Sequence, residues 1–100
     1  MYENTLPSTT VTSESVTRYG NTFMLRLKIV NGASAIAPWA NVADLTLLNA
    51  TIKYIVGDGI SGSAAFTPIF ISSTRFMIRN TGATAFAAND SAFVNVFIGM

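Results

Sequence analysis

Histidine and cysteine are both absent from this 100-residue chain. Their absence excludes Ser-His-Asp and Cys-His nucleophiles, a disulfide scaffold, thiolate metal sites and most zinc and iron centres. No metal and no other cofactor is expected. The redox compartment stays open, because cysteine-free proteins occur on both sides of a membrane. Charge is scarce too: 11% of the residues are charged, against about 25% in an average soluble domain. No apolar run reaches the roughly 18 residues of a membrane-spanning helix, so no membrane insertion is expected. The segment Met1–Pro7 has no basic stretch followed by an apolar one, and so does not read as a signal peptide.

Half of the residues are apolar and the formal charge is only +1. A chain of this length makes one domain and, alone, buries roughly 64% of its unfolded surface. Its few charges leave much surface to be kept wet by Thr, Ser and Asn. An apolar surface shared between subunits accounts for the deficit more simply than a neutral monomer does, so an oligomer is expected. Arg18, Arg26, Lys28, Lys53, Arg75 and Arg79 are scattered. They form no stripe that would follow a phosphate backbone, and nucleic-acid binding is not expected.

What the chain does have is period-2 alternation. In Thr22–Val30, Phe23, Leu25, Leu27 and Ile29 face one way and Met24, Arg26, Lys28 and Val30 the other, after a tight turn at Tyr19-Gly20-Asn21. Further strands are predicted at 9–18, 42–48, 51–56, 64–71, 74–79 and 91–98. Pro68 implies an edge or a bulge, and Asn31-Gly32 reads as a hairpin turn. In 91–98 both faces are apolar, which predicts a central strand covered on both sides. No segment has a helical period, and no internal repeat is apparent. The expected fold is all-β, an antiparallel jelly-roll-like sandwich or small barrel. Residues 1–12 read as a flexible lead-in or stalk remnant, and 13–100 as the head domain.

Chemistry-bearing motifs are few. Glu3, Glu14, Asp44, Asp58 and Asp90 are the only carboxylates, and a glycosidase-type pair would have to come from them. Asp58 and Asp90 stand beside Gly or Asn, where Asp is an ordinary turn residue. Gly57-Asp58-Gly59-Ile60-Ser61-Gly62 spells a dinucleotide fingerprint, but the strand-like sequel with Pro68 lacks the helix that fingerprint needs, so a hairpin loop is expected. Asn49-Ala50-Thr51 and Asn89-Asp90-Ser91 are sequons by spelling only. Trp39, the single tryptophan, has two readings: a core plug at one end of the sandwich, or an exposed platform for the C–H face of a sugar. Tyr19 and Tyr54 face the same choice. Asp44, Asp58, Arg79, Asn89 and Asp90 are candidate partners for sugar hydroxyls, with turn formation and solvation as the competing reading.

The order of these features carries a resemblance. Val16-Thr17-Arg18-Tyr19-Gly20-Asn21, the long alternating strand, Ser34-Ala35-Ile36-Ala37-Pro38-Trp39 leading into Val42-Ala43-Asp44-Leu45, Arg75-Phe76-Met77-Ile78-Arg79 and the apolar strand Phe93–Met100 together resemble the C-terminal receptor-binding heads of tailed-bacteriophage tail fibres and baseplates. One departure stands out: Leu47-Leu48-Asn49-Ala50 occupies the place where that group usually has a Pro-x-Gly-Tyr/Phe-x-Pro motif. The resemblance implies a homotrimer in the virion, at the tail tip or baseplate. It further implies contact with other baseplate or tail proteins, and non-catalytic recognition of a host cell-wall saccharide. A structural virion module, or a glycan hydrolase, are the alternatives.

Overall fold

The computed structural model describes residues 2–48 and 50–100; the sequon at Asn49 begins outside them. Eight antiparallel strands form one sheet: β1 (Tyr2–Asn4), β2 (Thr9–Tyr19), β3 (Thr22–Asn31), β4 (Asn41–Leu47), β5 (Tyr54–Ser61), β6 (Ala64–Ser72), β7 (Arg75–Asn80) and β8 (Ser91–Gly99). The spatial order is β1-β4-β7-β6-β5-β8-β3-β2. The sheet curls into a nearly closed barrel, so the all-β class and the barrel form of the expectation hold. Among the described residues, edge strand β2 meets β4 and the other edge strand, β1, through side chains rather than a ladder. Thr9 Oγ1 donates to the Val42 carbonyl at 2.7 Å, and Ser13 Oγ donates to Tyr2 Oη at 2.8 Å.

Alternation builds the core. Leu25, Leu27 and Ile29 of β3, Val94, Val96 and Ile98 of β8, Leu45 of β4, and Phe76 and Ile78 of β7 point inward and are fully buried. Hairpins β2–β3 and β5–β6 turn on two residues each, Gly20-Asn21 and Gly62-Ser63. Glycine takes the first turn position in both, with φ of 58° and 59°, as a type II′ turn requires. Pro68 lies where β6 has a ladder to β7 but none to β5, whose pairing stops at Phe66. Its missing N–H therefore leaves no gap.

The barrel contains a repeat that the sequence reading does not detect. Strands β1–β4 and β5–β8 are equivalent halves. The pairs β1–β4, β2–β3 and β4–β7 recur as β5–β8, β6–β7 and β8–β3. Registers agree residue by residue: Ala43 faces Ile78 as Ala92 faces Ile29, and Thr46 faces Arg75 as Asn95 faces Arg26. One pair of bulges coincides, between Ser13 and Ser15 in β2 and between Phe70 and Ser72 in β6, whereas the bulge between Asn41 and Ala43 in β4 has no counterpart in β8. The halves are thus related by an approximate twofold. In sequence it is spelled out only in the crossing loops, Gly32-Ala33-Ser34-Ala35-Ile36-Ala37 and Gly82-Ala83-Thr84-Ala85-Phe86-Ala87.

Four expectations need correction. Tyr2–Asn4 pairs with β4, and β2 begins at Thr9, so much of the expected lead-in is part of the sheet. Asn31-Gly32 is no hairpin: β3 has β2 and β8 as neighbours, and the chain crosses the barrel end to reach β4. The Gly57–Gly62 stretch is strand up to Ser61 and turns only at Gly62-Ser63. Finally, β8 is central, yet its outer face, with Phe93 and Phe97, lies open in the single chain.

Candidate functional site

Two crossing loops, 32–40 and 81–90, cover one end of the barrel. Each is tied down by a buried asparagine at the end of the preceding strand. Asn31 Nδ2 donates to the carbonyls of Ser34, Phe86 and Ala87 at 3.0–3.1 Å, while its Oδ1 accepts from the Gly32 N–H. Asn80 does the same in the other half, donating to Ile36 and Thr84 and accepting from the Gly82 N–H. Between them, Ile36 and Phe86 exchange backbone hydrogen bonds of 2.9 and 2.8 Å on the approximate twofold. Each asparagine closes an alternating strand just before a Gly-Ala-Ser/Thr-Ala run. That repeated context was the available sequence signal for both.

Trp39 stands on this rim and is 70% exposed, so the core reading of this residue does not hold. Its backbone has φ of 71°, in the left-handed region where a bulky side chain is a true outlier. The bend is held by the Trp39 N–H donating to the Asn80 carbonyl at 2.6 Å. The equivalent bend in the other loop falls at Asn89, with φ of 61°, and asparagine tolerates this conformation. The fold therefore needs the bend but not a tryptophan in it.

The other candidates divide into three groups. Arg79, Asn89 and Asp90 share the rim with Trp39. Arg79 is the penultimate residue of β7, beside the Asn80 whose N–H donates to the Ala40 carbonyl, and its Nε donates to Asn41 Oδ1 at 3.2 Å. Asp90 accepts from Ser61 Oγ and from the Ser91 N–H, closing the start of β8. Asp44 lies on the outside of β4, where Arg75 donates to both its carboxylate oxygens at 2.8 and 2.6 Å. Tyr54 and Asp58 lie elsewhere, on the outer face of β5. The Tyr54 ring covers Gly99, and its hydroxyl is 2.9 Å from Thr22 Oγ1. The structure thus brings Trp39, Arg79, Asn89 and Asp90 to one end and separates Asp44, Tyr54 and Asp58 from them. Asn41, absent from the sequence candidates, joins the rim group through Arg79. Tyr19 is exposed at the β2–β3 turn.

Hydrogen bonding from Arg75 holds the Asp44 carboxyl below its ordinary value of 3.8, with partial burial working against that shift. A carboxyl lowered by folding contributes stability that is present above its unfolded pKa and fades as pH falls through its folded pKa. Asp44→Asn is therefore expected to melt below the wild type at neutral pH, with the gap closing as pH falls through and below the ordinary carboxylate range. Thermal melts of both proteins across that range check this; a gap that persists in acid would mean that Asp44 acts through packing.

Among the described residues, no three of His, Cys, Asp or Glu converge as metal ligands, and the surface carries no enclosed pocket. Ligands of this rim would rest on exposed side chains. Comparison with family models, curated proteins and solved structures finds no match for this chain.

Proposed function

We propose that this chain is a non-catalytic receptor-binding head that lays a neutral saccharide of the host cell wall against Trp39. One observation carries the reading: a strained, exposed tryptophan occupies a bend that the other half of the barrel makes with asparagine. Strain of this kind costs on the order of 1–3 kcal/mol and marks positions kept for a task. An indole offers a flat apolar face and an N–H at its edge, which suits the C–H face and hydroxyls of a pyranose. Arg79, held by Asn41, stands next to the Asn80 that accepts from the Trp39 N–H, while Asn89 and Asp90 lie at the same barrel end across the approximate twofold. The resemblance to phage tail-tip heads adds the biological setting, a homotrimer at the tail tip or baseplate of a virion that contacts other tail proteins. Three copies of a weak site gain avidity without any new contact.

Because Trp39 is the only tryptophan, intrinsic fluorescence reports on this site alone. Titration with solubilised wall polysaccharide should shift its emission. Trp39→Asn, which fits the bend, should keep or raise the melting temperature and weaken binding at least about tenfold. Undiminished binding by that variant would remove the site. The structural alternative, a virion module that docks another phage protein, draws support from the apolar outer face of β5, β8 and β3. Failure of the wild type to bind wall material from any relevant host would favour it. Sugar release from the polysaccharide would favour the hydrolase.

A further inference from the structure

The two halves of the barrel provide a control for each other's surfaces. In the first half the outer row across β1, β4 and β7 reads Glu3–Thr46–Arg75; in the second, across β5, β8 and β3, it reads Asp58–Asn95–Arg26. Acid, neutral amide or hydroxyl, and arginine recur in register. The difference lies two residues along the strand. Asp44 of β4 satisfies Arg75, and its counterpart in β8 is Phe93, over whose ring Arg26 lies at 4.5 Å. Asp44–Arg75 is the one ion pair among the described residues. Asp58 and Arg26 sit two strand spacings apart, about 10 Å, with Asn95 between them, and form no ion pair within the chain.

Around that row the second half has Phe93 and Ile60 where the first has Asp44 and Thr5, while Phe97 and its counterpart Leu48 are both exposed and apolar. Tyr54, Val56, Ile60, Phe93 and Phe97 share the outer face of β5 and β8 and are 37–71% exposed. Together they present on the order of 500 Å², near the upper end of what a monomer leaves uncovered. Met24, Asn95, Arg26, Lys28 and Asp58 extend the patch toward the roughly 800 Å² per partner of a stable interface.

We infer that this face packs against a second copy of the chain, with Asp58 of one copy meeting Arg26 of the next. Asp58 lies on the β5 side of the apolar face, between Val56 and Ile60, and Arg26 lies on its β3 side, at the same height because both are in register with Asn95. Any rotation axis parallel to β8 therefore brings the acid flank of one copy to the basic flank of its neighbour. Aromatic side chains of β8 lie beside that axis and lose their water there. The inference rests on the assembly part of the proposed function and is independent of the saccharide.

Light scattering of the full chain at micromolar concentration tests it. The wild type should run at a multiple of 10.6 kDa. Arg26→Asp and Asp58→Arg, both at the surface, should each raise the dissociation constant at least about tenfold and drive the chain toward monomer. The double variant Arg26→Asp/Asp58→Arg should re-associate, which neither unfolding nor a general charge effect would produce. Glu3→Arg, on the equivalent row, should leave the mass unchanged. An oligomer insensitive to all of these would overturn the face while leaving the assembly standing. A dimer that obeys the swap would support the face and remove the trimer. A monomeric wild type would overturn both and leave the patch to a different protein.

Discussion

Truncating Phe86 to alanine should cost about 3–5 kcal/mol and loosen both rim loops at once. Phe86 is fully buried, although its loop otherwise runs exposed on both sides of it. Its ring meets Phe66 edge-on, with centroids 5.0 Å apart and planes at 73°. Its backbone exchanges two hydrogen bonds with Ile36, and its carbonyl accepts from Asn31. The counterpart on the other loop, Ile36, is only half-buried, so Phe86 is the plug of this barrel end. The cavity would open directly beneath the bridge that carries the Trp39 loop. Against a total stability of about 5–15 kcal/mol, the variant is left marginal. Urea denaturation should show a midpoint lowered in proportion. Limited proteolysis should show new cleavage in both 32–40 and 81–90 under conditions where the wild type is intact. A small shift in midpoint with unchanged protease resistance would mean that the loops stand without it.

Gly59→Val should destabilise the chain by about 3 kcal/mol or more. Gly57 and Gly59 face inward on β5, where the strand presses on β8. A Cβ at Gly59 would lie 2.6 Å from the Phe93 carbonyl oxygen and 2.7 Å from Val94 Cγ2, and one at Gly57 would overlap the Asn95 carbonyl oxygen. Carbonyls in a ladder cannot move aside without breaking it. The equivalent positions of the first half hold Tyr2 and Asn4. Side chains are tolerated there because β1 is a three-residue edge strand, with no hairpin partner drawing it inward. The same denaturation experiment measures the effect, with Gly59→Ala expected between wild type and valine. A valine variant as stable as the wild type would show that β5 can lift from β8.

Most strands were legible in the chain, because one-sided burial writes a period of two and Phe23–Ile29 follows it without a break, but β1 was read as lead-in and the Gly57–Ser61 part of β5 as loop. Asn31-Gly32 misled for a physical reason. The dipeptide signals a tight turn only if the side chain is free, and here the amide is consumed inside the barrel end. The apolar outer face of 91–98 was legible as composition. That it lies open could not be read, because coverage depends on which strands and which copies lie opposite. Trp39 could not be placed from sequence either: a tryptophan after proline in a short apolar stretch fits a plug as well as a platform. The repeat escaped because corresponding strands share a pattern but few identities. Only the crossing loops, where the buried asparagines demand particular backbone geometry, keep a common spelling.

The interleaving of the two halves also governs how the chain reaches this structure. Neither half owns a sheet: β4 finds its long-range partner in β7, and β3 in β8. The last strand made lies in the middle, between β5 and β3. A chain emerging from the ribosome therefore holds β3 and β5 with unpaired edges until residue 91 and beyond have appeared. Almost every stabilising ladder outside the hairpins closes a long loop, which makes folding slow relative to a helical chain of this size. Over that interval the open strands are exposed to other chains, and the neighbour that first covers them can be a copy of the same sequence.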